Sequence, residues 1–579
     1  MRTTTRLIAL GFASVALAAC GHKDKNAPLA FVPADTPYVV ANLDILDKPT
    51  RQALLAQADA QLPAQLAQLD ALAGRLQARD PDGAHLLRAF VAELKGGTIE
   101  TFAHKAGLDL KGHLAFYGLG MAPVLRFELD DPKAFEDFVG RLEAAYGKKL
   151  DLAKIGKQSY RGHAFGASGT EVILAVVGKQ AVAALLPADV SPAMLRETLG
   201  LDRPHKSLQD DGRLAALAKA KGYKPWLVGD LDMTRFLPLT LAGKDPLLEA
   251  VLEAQAKAES AKTGEPLANQ LKVPPVCATE ASRIAARVPD ISFGYTRLDA
   301  RHQDTRLDVA LAADISQAFA GLKVNLPGLG EQGSAPFDLS IALPISQLRA
   351  FWSAQSDAVA AKPFTCPALS GLNDGFAKIG AAMQKAAIPP FGDLRGLRIA
   401  LDTLTSSKIS SLPTFTGRLV LATKNPAGLL AMGQMMVPAL SHMKPGSDGK
   451  PVPVPGDMAK IIGQPSWIAM DTTAIALGVG TGEQGKLSAS LKNPPGTPGQ
   501  LMRMHLSGAM YLDWLQLMET KFDAFAARKA GQPAADATFA HSKAQFATMK
   551  AQAARIQSVD AEVHVDHDGL VTTSQTILK

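Results

Sequence analysis

The chain has 579 residues with 61 Lys and Arg against 55 Asp and Glu, a formal charge of +6, 47% apolar residues and 20% charged ones. That balance excludes a disordered chain, and the length accommodates roughly two to four domains. The basic residues form no stripe interleaved with aromatics, so no nucleic-acid partner is expected.

The chain opens with Arg2 and Arg6, an apolar run over Leu7–Ala16, and then Leu17-Ala18-Ala19-Cys20. The apolar stretch is shorter than the ~20 residues of a membrane span. Its pattern resembles the lipobox of bacterial lipoproteins. That resemblance implies residues 1–19 as a signal peptide cut before Cys20, a diacylglycerol on the Cys20 thiol, acylation of the new amine, and attachment to a membrane. Gly21, where enteric inner-membrane lipoproteins carry Asp, points to the periplasmic face of the outer membrane, with the inner membrane as the alternative. Residues 20–30, polar with one proline, are expected to form a lipidated flexible tether. The next segment, Phe31-Val-Pro-Ala-Asp-Thr-Pro-Tyr-Val, resembles the opening of uncharacterised bacterial envelope proteins that begin P-A-D-T-x-Y-V. No activity accompanies that resemblance.

Segments recur in the same order along the chain. Pro37–Asp44 is echoed by Pro336–Leu343, Leu110–Tyr117 by Leu394–Ala400, and Leu125–Leu129 by Arg418–Leu421. Glu171–Gly178 is echoed by Thr473–Gly480, Pro225–Asp232 by Ala509–Leu515, and the hairpin Ile291–Leu311 by Val559–Leu578, which turns at Asp568-Gly569. Asp131-Pro132 and Asn425-Pro426 are both expected to start helices. The expected architecture is α+β: a first half over 31–316 and a second over 335–579, each a mixed or antiparallel sheet with covering helices. A glycine-rich connector over 317–334, including Gly321 to Gly333, joins them. A helical segment over Thr50–Lys95, broken near Asp80–Gly83, carries leucines at helical spacing that are expected to cover a sheet face.

The cysteines are Cys20, Cys277 and Cys366. With Cys20 acylated, as the resemblance implies, an even pair remains in an oxidising compartment, and a Cys277–Cys366 disulfide is expected.

No motif fixes an activity. Gly480-Thr-Gly482-Glu-Gln-Gly485-Lys486 has phosphate-loop spacing, but Leu487 stands where a hydroxyl is required, so a strand-to-helix turn is expected. His564, Asp566, His567 and Asp568 are the densest group of metal-ligand types, yet strand alternation separates them. His302 and Asp304 occupy the corresponding hairpin. Ser441 and Lys444 have S-x-x-K spacing without partner motifs. Asp130-Asp131 and Asp210-Asp211 suit a helix start and a turn. Catalytic, cofactor and metal residues are therefore assigned to none. The expected function is non-enzymatic: an apolar ligand or an envelope protein held between the two halves, with a scaffold or assembly factor and a periplasmic hydrolase as alternatives. Met432, Met435, Met436 and Met443 belong either to the core or to an adaptable apolar surface.

Overall fold

The computed structural model describes residues 24–78, 81–165, 168–264, 273–331, 333–386, 388–405, 414–456, 463–529 and 533–579. Cys20 and the leader lie outside the described residues. Short alternating segments become strands because a period of two puts one set of side chains on each face of a sheet. In the first half these are β1 (Tyr38–Ala41), β2 (Leu114–Leu119), β3 (Ala122–Glu128), β4 (Asp151–Ile155), β5 (Gln158–Phe165), β6 (Thr170–Val177), β7 (Gln180–Pro187), β8 (Val228–Asp232), β9 (Asp290–Leu298) and β10 (His302–Ala310). The second half supplies β11 (Phe337–Ala342), β12 (Leu394–Thr405), β13 (Thr414–Thr423), β14 (Val452–Pro453), β15 (Ser466–Met470), β16 (Ala474–Val479), β17 (Gln500–Ser507), β18 (Ile556–Val565) and β19 (Gly569–Leu578).

All nineteen join one antiparallel sheet, ordered 4-5-6-7-3-2-1-8-9-10-19-18-17-11-12-13-16-15-14. With its covering helices the chain is α+β. The two halves meet through β10 and β19, paired continuously from His302–Ile577 to Ala310–Gly569. They are therefore fused edge to edge rather than separated by a gap.

One face of the sheet is packed at both ends. In the first half Val39, Ala41, Ala115, Tyr117, Val124 and Val182 are buried beneath the chain leading into β1 and the Pro192–Leu199 and Leu208–Asp211 helices. Residues 24–31 are not a flexible tether. The carbonyl of Lys25 accepts from Arg203 and that of Asn26 from Gln180, while Phe31 lies 4.0 Å beneath the Arg126 guanidinium. Arg126 is itself fully buried and donates to Gln180 Oε1 (2.9 Å) and the Thr198 carbonyl (3.0 Å). The connector is likewise part of the fold, because Val324, Leu326 and Leu329 form a core cluster with Ala342 and Ala422. Arg503 donates to the Gly328 carbonyl at 2.7 Å, and Arg398 holds Asp338 with two hydrogen bonds and Asn493 with a third.

Two further expectations are corrected. Ala509–Leu515 lies in the Gly508–Lys529 helix, directly after β17, as the Met233–Ala242 helix follows β8. The leucine stripe of the Lys48–Leu76 helix packs Leu62 and Leu66 against Val91 and Leu94 of the Pro81–Leu94 helix, not against a sheet. The expected caps form: Asp131 accepts from the N–H of Lys133 and Ala134, and Asn425 from that of Gly428.

Each half also reaches into the other. Gln57, in the Lys48–Leu76 helix, accepts at its carbonyl from Arg555 (3.2 Å) and at Oε1 from Gln303 (2.9 Å). On the opposite side, Cys277 of the Val276–Ala285 helix is bonded to Cys366, which sits between the Ile345–Ala361 and Gly371–Ala386 helices. Glu280 accepts from the backbone N–H groups of Thr365 and Cys366, and Arg283 stacks on Phe364 at 4.2 Å. The disulfide closes a span of 89 residues, a constraint worth about 4–5 kcal/mol in the chain-entropy picture. Replacing both cysteines by alanine is expected to lower the urea-unfolding free energy by about 4 kcal/mol. A non-reducing peptide map of the parent protein should recover the two cysteines in one linked peptide.

Candidate functional site

The second face is also packed at its two ends, by Phe135 and Phe138 against Phe127 and Ala181 and by Leu440 and Met443 against Ile475 and Leu477, but its middle differs. Register places Leu125 of β3, Phe116 of β2, Val40 of β1, Gly229 of β8, Phe293 of β9 and Leu307 of β10 directly opposite one another, so they form one row on one face. The row continues from Leu307 through Thr572, Val563, Met502, Ile341, Leu397 and Leu421. Gly229 has a specific part: a Cβ there would stand 2.1 Å from the Phe293 ring, so glycine lets that ring lie across the floor. Phe116 and Phe293 are each 39% exposed, and Leu125 and Leu307 each 37%. Exposed large apolar groups aligned over several strands mark binding surfaces more often than scattered ones do.

Helices beside this face are also unusually open. The Met233–Ala242 helix, rich in Phe, Leu and Met, has no buried residue, and its Phe236 meets Tyr38 edge-on at 6.2 Å. Tyr38 in turn lies 5.8 Å from Phe116. On the Gly508–Lys529 helix Trp514, Met518 and Phe525 are exposed, although the spacing of 4 and then 7 puts them on one stripe. Met435 and Met436 are exposed at the end of the Pro426–Met436 helix, whereas Met443 is core. Helices this apolar normally bury a face.

The opposite face of the central strands is charged. Arg306 and Asp308 of β10, Asp560 and Glu562 of β18, and Arg503 of β17 alternate with the apolar row. Tyr223 donates to Asp308 at 2.5 Å. The two surfaces of one sheet thus carry opposite chemistries.

The sequence motifs resolve into structural roles. Gly480–Lys486 is the turn from β16 into the Gln484–Leu491 helix. Glu483 is buried and accepts from Arg418 (2.7 Å) and Lys486 (3.1 Å), while Lys486 also reaches Asp402 at 2.7 Å. Burial raises the Asp402 pKa, but hydrogen bonds from Arg418 and Lys486 outweigh it and hold the group at about 2. The lysine is committed to carboxylates rather than presented to a phosphate. His564 sits on β18 opposite Gln500, Asp566 accepts from the N–H groups of Asp568 and Gly569, and His567 projects into solvent. Those groups do not converge, and no metal-ligand cluster occurs among the described residues. His302 is held by Asp299 at 2.9 Å, and burial raises the Asp304 carboxyl. Ser441 and Lys444 are both exposed around a short turn. Ser207 caps the Leu208–Asp211 helix by accepting from the Asp210 N–H and donates to the Asp210 carboxylate, and Asp211 pairs with Lys206.

Two cavities lie away from the apolar row. One of about 640 Å³ is lined by Asp24, Phe31, Asp109, Glu128, Lys179 and Arg203. Another of about 790 Å³ lies between Val190, Met194 and the Pro246–Thr263 helix.

One cluster escapes any sequence motif. Asp290 of β9 pairs in register with Asp232 and stands beside Asp230, which Arg213 binds. Burial first, then the charges of Asp230 and Asp232, push Asp290 up to about 7 against the opposing Arg213. Between pH 4 and 7 the folded state keeps this proton and the unfolded chain, with a carboxyl near ~3.9, has lost it, so stability falls as pH rises through that window. The Asp290→Asn variant is therefore expected to melt above the parent at pH 8, with the difference closing toward pH 4. Thermal melts across that range check it.

No protein-family model, no curated protein and no solved structure matches this chain.

Proposed function

We propose that this is a periplasmic lipoprotein, acylated at Cys20 and held on the outer membrane, that binds acyl chains without catalysis on the apolar face of its sheet. The observation that carries this reading is the row Leu125, Phe116, Phe293 and Leu307, large apolar side chains left more than one-third exposed on a continuous floor. Covering the remaining third of such a side chain removes roughly 60 Å² from water, or about 1.5 kcal/mol each. A flexible hydrocarbon suits an open, shallow floor because it needs no deep cavity. A lipid anchor suits the same reading, since lipid attachment places the floor beside a supply of acyl chains.

The halves are proposed to descend from one duplicated unit. In support, the strand order runs inward from both ends in parallel: 7-3-2-1-8-9-10 on one side matches 16-13-12-11-17-18-19 on the other. On that alignment β1, β2 and β3 correspond to β11, β12 and β13. The strand Glu171–Gly178 then corresponds to β15, and β16 to β7, a shift of one strand from the sequence echo.

Four experiments test the reading. Protein extracted from its own membrane is expected to carry lipid in native mass spectrometry, and a stoichiometric protein partner without lipid would overturn it in favour of a scaffold. The Phe116→Asp/Phe293→Asp variant is expected to bind the fluorescent fatty acid cis-parinarate at least ten-fold more weakly, with a melting temperature close to the parent. Cys20→Ala is expected to move the protein from the membrane to the soluble fraction, and intact mass of the parent should show the acyl chains.

A further inference from the structure

The apolar floor changes character at its centre. Leu307 faces Thr572 across the β10–β19 ladder, and the same face of these two strands presents Thr305, Ser574 and Thr576. Thr305 is exposed and the others half-buried. None of the four hydroxyls makes a side-chain hydrogen bond to another described residue, although each has a donor and two lone pairs. Neither β9, β10, β18 nor β19 places a charged side chain on this face: the acidic and basic residues of these strands alternate onto the other one.

This uncharged hydroxyl strip sits midway along a hydrocarbon floor. From β10 the apolar row runs over five strands to Leu125, and from β19 over five strands to Leu421. At ~4.8 Å per strand each arm is about 24 Å long. An acyl chain in one leaflet spans about 15 Å, half the hydrocarbon core of a bilayer. Either arm therefore receives a whole chain, and the strip falls where two chains would join. A carboxylate or phosphate laid there would lose its hydration without gaining a cation from these four strands, and Arg555, which meets Gln57 beside Gln303 at the strip's end, already donates to a carbonyl, whereas ester carbonyls and free hydroxyls would be matched by the threonine and serine groups.

We propose that the ligand is a neutral lipid with at least two acyl chains on an ester and hydroxyl core, its core on Thr305, Thr572, Ser574 and Thr576 and its chains directed into the two halves. The assignment rests on the acyl-binding reading above and narrows it to one class.

Binding of pyrene-labelled dioleoylglycerol, of oleate and of hexadecane to the full chain tests this. The parent is expected to hold the diacylglycerol at least ten-fold more tightly than oleate. The Thr305→Val/Thr572→Val/Ser574→Ala variant is expected to lose about ten-fold for the diacylglycerol and to keep its affinity for hexadecane, which also shows that the floor is folded. Restoring one hydroxyl, as Thr572→Ser in place of Thr572→Val, should recover part of the loss. If oleate binds as tightly as the diacylglycerol, or the triple variant binds both alike the parent, the two-armed assignment falls while the acyl reading stands. If none of the three probes binds the parent, the acyl reading falls with it.

Discussion

The ladder between β10 and β19 is the constraint from which the rest of the architecture follows. Each half ends its sheet at one of these strands, and an uncovered edge presents a row of unsatisfied N–H and C=O groups. Pairing the two edges to each other satisfies both, and it forces the faces of the two sheets into continuity. A surface that would have been two small patches becomes one floor. Helices of either half then cross to the other, by Gln57 meeting Arg555 on one side and by the Cys277–Cys366 bond on the other.

Buried arginines distinguish the two faces. Arg126 in the first half and Arg398 and Arg503 in the second lie beneath the segments that precede β1 and β11. A buried guanidinium is tolerated only with partners in place, so each arginine fixes the path of the chain that covers it. Desolvation lowers the pKa of Arg126 and Arg503, which measures how far these groups have left water. The cost is met in part on the packed face by carbonyls, carboxylates and an aromatic ring, with Nε of Arg126 and Nε and Nη1 of Arg503 buried without a hydrogen-bond partner among the described residues. No equivalent group occupies the apolar row, which packed segments flank at both ends: Phe135 against Phe127 beyond Leu125, and Met443 with Ile475 beyond Leu421.

Local features were legible in the sequence where local physics decides them. The alternation of β1 and β11, the caps at Asp131 and Asn425, the Asp568-Gly569 hairpin and the pairing of Cys277 with Cys366 all follow from short-range pattern or from counting. Polar composition with one proline reads as a tether in residues 24–30, whereas Arg203 and Gln180 hold that segment in place, and the glycine-rich connector is likewise held, by Arg503 at Gly328. Ala509–Leu515 follows a strand, as Pro225–Asp232 contains one, and the echo was displaced by one element. The apolar floor escaped because its members are hundreds of residues apart and meet only through register. A signal was present in β2, where Leu114 and Phe116 alternate with Ala115 and Tyr117: both sets are apolar, as in a strand covered on both sides, yet only Ala115 and Tyr117 are buried.

The fastening of residues 24–31 bears on how the body stands at a bilayer. In the proposed lipoprotein, with the carbonyls of Asp24 and Lys25 held by Gln209 and Arg203, four peptide steps, no more than about 14 Å of contour, would separate an acyl anchor on Cys20 from the body. So short a link would restrict tumbling of the body. On that proposal Lys25, Arg203 and Lys206, at the fixed end of the link, would lie within roughly one or two Debye lengths of the headgroups and would favour this side of the molecule toward the lipid.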